Sequence, residues 1–283
     1  MGLPPLRLGP PAASFDDHLF RMIMPGRGGM SGQARFPDSG LSVKLSRTQI
    51  DRLGDRLRSA PPSEDDLVLL DEFRRSFGPA YEIVVGRVQE LKLAPTGRPA
   101  KSTPSVIEKL KRETIRLTQM QDIAGCRVVV PDIVEQDRIA DSLVAVFPGT
   151  PVTDRRSNPS YGYRAVHLVV QISGIPVEVQ VRTLLQHAWA ELSEKIADVV
   201  DSSIKYGQGP DQIKEVLKVA SDAIAEFEAL EYNLYGLKLD DKEVELKQKW
   251  IEKIEERKKS LAAICDRIKS NLEELKKRDQ VVR

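Results

Sequence analysis

Two acidic residues stand where strands begin or run. Asp122 precedes the β-branched run in Q-D-I-A-G-C-R-V-V-V-P (121–131), and Glu178 lies inside V-E-V-Q-V-R-T (177–183). If those two strands are neighbours, the two carboxylates meet at one end of a sheet. Just upstream is a cationic, proline-stiffened stretch, P-T-G-R-P-A-K-S-T-P-S-V-I-E-K-L-K-R (95–112), which carries Arg98, Lys101, Lys109 and Arg112. Hard carboxylate oxygens suit Mg2+, and guanidinium or ammonium groups suit phosphates, so together they describe a metal–nucleotide site. The plainer alternative has Asp122 capping a turn, Glu178 pairing with Arg164 or Arg182, and the cations solvated at the surface.

Other residue types narrow the chemistry. Tyr163 follows Gly162, which suits a ring displayed on a turn for stacking on a base, although a tyrosine at a strand start also serves packing. His167 and His187 read equally as hydrogen-bonded core histidines, and neither has a serine or cysteine nucleophile nearby to build a triad. No Walker A, GxGxxG or HExxH pattern occurs. The two cysteines, Cys126 and Cys265, form no CxxC, and three histidines offer no zinc spacing. That cysteine usage suggests no disulfide framework and predicts a reducing, cytoplasmic setting.

Charge excludes further classes. Forty-three Lys and Arg against forty-two Asp and Glu argue against a general nucleic-acid coat, so no DNA partner is expected, while a local basic cleft is still allowed. No run approaches the ~20 apolar residues of a membrane span, and the N-terminal segment has no continuous apolar core of a signal peptide. The reading is of a protein with no membrane partner.

The elements that must hold these residues follow from periodicity. Val177, Val179 and Val181 alternate with Glu178, Gln180 and Arg182, so one face of a strand is apolar and the other carries three polar groups. An ordinary solvated edge strand has the same pattern. Two more strands are predicted at 121–131 and 164–172. Helices are predicted from Ser46 (Ile50, Leu53, Leu57), from Ser63 to Leu91 with Gly78-Pro79 either kinking it or splitting it in two, from Val106 with Ser105 as cap, and over 133–146. After a loop at 150–163, a helix carries Leu185, Trp189, Leu192, Ile196 and Val199 as an apolar stripe. Two further helices are predicted near 211–235 and 241–278, the latter with Ile254, Leu261, Ile268 and Leu275 at intervals of seven. Residues 1–42 are rich in Gly, Pro and Ser and read as disordered. The division predicted is 1–42, a domain over 43–205, and a helical extension over 206–283.

Four motifs in order, D-I-A-G-C-R (122–127), G-Y-R-A-V-H (162–167), V-E-V-Q-V-R-T (177–183) and Q-H-A-W-A-E-L (186–192), resemble the RelA/SpoT-type alarmone synthetase domain over roughly residues 45–205. The resemblance implies an α/β (α+β) fold, a nucleotidyltransferase-like mixed sheet flanked by helices, with the C-terminal helices added. It implies transfer of the β,γ-pyrophosphate of ATP to the ribose 3′-OH of GDP or GTP, a GTP diphosphokinase reaction of the stringent response. Asp122 and Glu178 would hold Mg2+, Glu178 also assisting deprotonation of the hydroxyl. Arg98 and Arg127 would sandwich the adenine, and Lys101 and Lys109 would contact ATP phosphates. Tyr163 would stack on the acceptor guanine beside His167, with Arg155, Arg156, Arg164, Gln180 and Arg182 on the acceptor side. The chain departs from the family where Arg98 and Lys101 are separated by two residues and where Ala165 replaces a common serine. It resembles the small stand-alone members, some of which are toxins that make adenosine alarmones or modify the CCA end of tRNA. That resemblance leaves open a tRNA acceptor, an antitoxin partner, a homo-oligomer through the C-terminal helices, or a module that binds nucleotide without turnover.

Overall fold

A computed structural model describes residues 45–236 and 241–282. Three helices come first: α1 (Arg47–Ser59), α2 (Glu64–Arg75) and α3 (Gly78–Glu90). Ser46 and Gln49 close a reciprocal capping box on α1, and Ser63 accepts from the Asp66 amide at the start of α2. Of the kink or split predicted at Gly78-Pro79 the split forms: α3 starts there, and Pro79 falls in its first turn, where the missing N–H costs no helical bond.

The sheet contains β1 (Thr96–Arg98), β2 (Ala124–Val130), β3 (Val152–Asp154), β4 (Val166–Ile172) and β5 (Ile175–Thr183) among the described residues. Their order is β1-β2-β5-β4-β3, with β2 and β5 parallel and the other neighbours antiparallel. β4 and β5 form a hairpin whose turn residues, Ser173 and Gly174, both have positive φ, 52° and 81°, the backbone hand that matches strand twist. β1 and β3 lie inside stretches predicted as loops. A Cβ on Gly97 would overlap the backbone of Gly125 and Cys126, so β1 can pair this closely only because Gly97 has no side chain.

Helix α4 (Thr103–Arg112) lies between β1 and β2, α5 (Ile133–Val146) between β2 and β3, and α6 (Leu184–Val199) follows β5 without a linker. The α4 cap is Ser102, three residues before the serine predicted, because Pro104 is accommodated in the first turn. Val177, Val179 and Val181 are fully buried and share a core with Val84 and Val88 of α3 and Ile139 and Leu143 of α5. Each such side chain contributes about 1.5–3 kcal/mol by leaving water. One sheet face is thus held against helices, and the opposite face is left to the polar residues.

The described residues form one compact unit. Within it α7 (Asp211–Gly236) and α8 (Asp241–Val282) pack back on α6. Trp189, Ala190, Ala197, Ile204 and Leu217 make a second apolar cluster. The Trp189 indole donates to the Leu217 carbonyl at 2.9 Å, and Glu228 of α7 accepts from the Thr183 hydroxyl and the Gln186 amide. The disorder predicted for 1–42 lies outside the described residues. No helix among the described residues is long and apolar enough to cross a membrane.

Candidate active site

The β-sheet register builds the site row by row. Arg98, Gly125, Glu178 and Val169 are successive partners across β1, β2, β5 and β4. The next row is Thr96, Arg127, Gln180, His167 and Thr153. Directly paired residues point to the same face, so Arg98, Arg127, Glu178, Gln180 and His167 share one side of the sheet. Gly125 leaves a gap between Arg98 and Glu178: a Cβ there would come within 2.9 Å of the Glu178 carbonyl.

Asp122 sits on the bend before β2, and its two oxygens are each taken by an ammonium. Lys101 Nζ lies 2.9 Å from Oδ2 and Lys109 Nζ 2.9 Å from Oδ1. The backbone fixes Lys101 as well, its amide donating to the Ile123 carbonyl at 2.6 Å. Burial alone would raise the Asp122 carboxyl, but the two lysines outweigh it and hold the group below the usual carboxylate range.

Glu178 is held differently. His167 Nδ1 is 2.7 Å from Oε1, and the Gln180 amide donates to Oε2 at 2.7 Å. Burial pushes this carboxyl up, yet the bonds from His167 and Gln180 bring it below its ordinary value despite an opposing push from Asp122. The Asp122 charge thus reaches Glu178. Asp122 does not cap a turn, and Glu178 pairs with neither Arg164 nor Arg182.

Around Glu178 the side chains join into a ring. The Tyr163 hydroxyl is 2.9 Å from His167 Nε2, and Arg182 Nη2 donates to that hydroxyl at 3.1 Å and to Gln180 Oε1 at 2.7 Å. The Tyr163 ring meets the imidazole edge-on, with centroids 5.5 Å apart. Its phenol is raised above the usual tyrosine value by burial, against the pull of Arg182. The more exposed ring of this loop is instead Tyr161, 64% exposed. Cys126, behind the sheet, is pushed up to about 12 by burial and the Glu178 charge, so it stays a neutral thiol.

The other residues expected at the site divide. Arg98 is exposed at the end of β1. Arg127 pairs with Glu191 of α6 at 2.5 Å, and Lys269 of α8 approaches the other Glu191 oxygen at 3.7 Å. Arg155 is half-buried and acts on the Tyr163 phenol through its charge. Arg156 is committed to Asp137 and Asp154, each at 2.7 Å. Arg164 donates to Ser221 and pairs with Asp222 of α7, both at 2.9 Å. The structure therefore does not bring Arg156 and Arg164 to the Glu178 face.

Two participants are new. Glu191 lies four residues after His187 in Q-H-A-W-A-E, on the same face of α6, and that spacing was the available signal. Tyr206 stacks on Arg112 at 3.5 Å from the ring centroid; it lies 94 residues further along, so no local pattern could have shown it. Among the described residues no cluster of three or more His, Cys, Asp or Glu has metal-holding geometry. Two ionised carboxylates do fit Mg2+ of the kind carried mostly by substrate phosphates and completed by one or two protein oxygens.

Residues 97–200 match a protein family described as the region found in RelA / SpoT proteins. An uncharacterized protein of Mycobacterium tuberculosis is 34% identical over 140 residues, which is 45% of this chain and 51% of that one. The GTP pyrophosphokinase YwaC of Bacillus subtilis is 27% identical over 137 residues, 42% of this chain and 65% of that one. The small alarmone synthetase 1 from Bacillus subtilis has a solved structure with 26% identity and a TM-score of 0.47, covering 59% of this chain and 97% of that chain. The chain spans about half the length of the mycobacterial relative. The matched segment, 97–200, contains both carboxylates and the lysines that hold Asp122.

Proposed function

We propose that this protein transfers pyrophosphate from ATP to the ribose 3′-OH of GDP or GTP. The observation that carries the reading is the pair of unlike carboxylates, one just before β2 and one on the adjoining β5: Asp122 locked by two lysines, Glu178 by two hydrogen-bond donors. The acceptor's 3′ oxygen forms a bond to the β-phosphorus of ATP, the bond from that phosphorus to the α,β-bridging oxygen breaks, and AMP leaves. The hydroxyl proton passes to Glu178. Positioning and charge neutralisation supply most of the rate in such transfers.

The residues take roles on this reading. Arg98 and Arg127 flank the adenine. Lys101 and Lys109 exchange Asp122 for ATP phosphates, which frees the Asp122 oxygens. Asp122 and Glu178 would hold Mg2+, which when bound supplies charge neutralisation at the phosphates. Tyr163 and His167 face the acceptor base, with Gln180 and Arg155 beside them. The name of the Bacillus subtilis relative, a GTP pyrophosphokinase, supports the acceptor class.

The test is chromatography of products from labelled ATP with Mg2+ and, separately, GDP, GTP, ATP or bulk tRNA. AMP together with a 3′-pyrophosphorylated guanine nucleotide is expected. Label in tRNA alone would move the acceptor, and full activity in both Asp122→Asn and Glu178→Gln would remove the mechanism.

A further inference from the structure

The two lysines that close on Asp122 come from different elements. Lys101 lies between β1 and α4, and Lys109 lies within α4. Once phosphates take the ammonium groups, Asp122 no longer holds either tip, and the backbone between them must keep both aimed. That joint has little of its own to fix it. Ser102, the helix N-cap, makes no side-chain cap bond, and Pro104 has no N–H to give. The Lys101 amide is held by the Ile123 carbonyl at 2.6 Å. The chain beyond it, from the Lys101 carbonyl into α4, needs another fastening.

Arg74 of α2 supplies it. Its Nε donates to the Lys101 carbonyl at 2.6 Å, and its Nη1 donates to the Thr103 hydroxyl at 3.0 Å. One planar guanidinium thus spans the joint, gripping the residue that bears one ammonium and the first residue of the helix that bears the other. The side chain is 17% exposed, and its ion-pair partner Asp71, 3.5 Å away, is shared with Arg75. Arg74 stands before the matched segment 97–200, in a helix that supplies none of the site residues named above.

We propose that Arg74 is a positioning residue for the donor half of the site: by bridging Lys101 and Thr103 it sets the placement of Lys101 against Lys109. This rests on the proposed reading of those two lysines as ligands of the ATP phosphates. A joint fixed before ATP arrives does not have to be ordered on binding, so its loss appears as lost ATP affinity. Tyr163 and His167, on the acceptor side, hang from β4 and the loop before it, so acceptor binding is expected to hold.

The experiment is calorimetric titration of the full chain with a non-hydrolysable ATP analogue and Mg2+, and separately with GDP. Arg74→Met keeps an apolar stem and removes the donors; it should weaken the ATP analogue about tenfold and leave GDP within about threefold. Arg74→Lys, able to reach one acceptor of the two, should recover part of the loss. Arg56→Met is the control: it removes the 2.8 Å bond that ties α1 to Asp66 of α2, and both affinities should stay as in the wild type. In turnover, the Arg74→Met effect should fall on KM for ATP and not on KM for the acceptor. A folded Arg74→Met protein with wild-type ATP affinity overturns the proposal. So does an equal fall in ATP and GDP affinity, or an equal loss of ATP affinity in Arg56→Met, since either marks general loosening. If Arg74→Met does not fold, Thr103→Val decides: ATP binding about threefold weaker supports the bridge, and unchanged binding sinks it. A wild type that binds ATP and forms no AMP would defeat the proposed function alone, because the affinities are read without turnover. A wild type that binds no ATP would remove the positioning role with it.

Discussion

Glu178 on the sheet and Glu231 on α7 are both withdrawn from water, and their surroundings drive them in opposite directions. Glu178 has a donor on each oxygen and sits below the ordinary glutamate value. Glu231 pairs with Lys258 of α8 at 2.7 Å, both side chains 1% exposed, while its second oxygen is buried with no partner. Burial wins there against Lys258 and raises the carboxyl to about 7. Depth therefore does not decide which acid is ionised. The number of satisfied oxygens does, and the region proposed for chemistry is the one where both are satisfied.

The contrast breaks most sharply on removing the site carboxylate. Glu178→Gln keeps the shape but loses the proton acceptor, and AMP formation from labelled ATP is expected to fall about 10²–10⁴-fold. On the helical side, Lys258→Met strands Glu231 as a buried acid and should cost about 3–5 kcal/mol in denaturant unfolding. The double change Lys258→Met with Glu231→Leu should be near neutral or stabilising. A double variant as unstable as the single one would show that the pair is not the weak point.

pH sharpens the comparison because the two groups act with opposite signs. The folded value of Glu231, about 7, lies above the ordinary glutamate value of 4.5, so its contribution is full below about 4.5 and is lost as pH rises through about 7. Amide exchange in α7 and α8, corrected for intrinsic rates, should show them about 1–3 kcal/mol less protected at pH 8 than at pH 5. Asp122 and Glu178, held low, contribute above the ordinary carboxylate range and lose that contribution as pH falls through their folded values. The smallest effect is expected from His167→Phe. Taking one donor from Glu178 should move the acid limb of the pH–rate profile upward, and an unmoved limb would assign the low value to Gln180 alone.

Much of this was legible in the residues. The valine alternation of β5 names the face on which Glu178 and Gln180 stand, and the serine and proline positions mark the first three helices to within a residue or two. What lay beyond local pattern is equally specific. β1 has no apolar alternation in Thr96-Gly97-Arg98; it pairs with β2 because Gly97 lets the two backbones approach. Arg182 obeys the period of two and stands on the polar face, yet Tyr163 and Gln180 close over it, a fact of tertiary packing. Arg156 and Arg164 are taken by Asp137 and Asp222, partners that no short window contains.

Thr183 is at once the last residue of β5 and the N-cap of α6, and its hydroxyl is also tied to Glu228. Such a joint has no slack. One residue inserted between Arg182 and Thr183 would either rotate the helix by about 100° or turn the strand's two faces over, exchanging valines for charges. Substitution can be absorbed at this junction, but a change of length cannot, so variation in chain length among functional variants is expected to fall elsewhere.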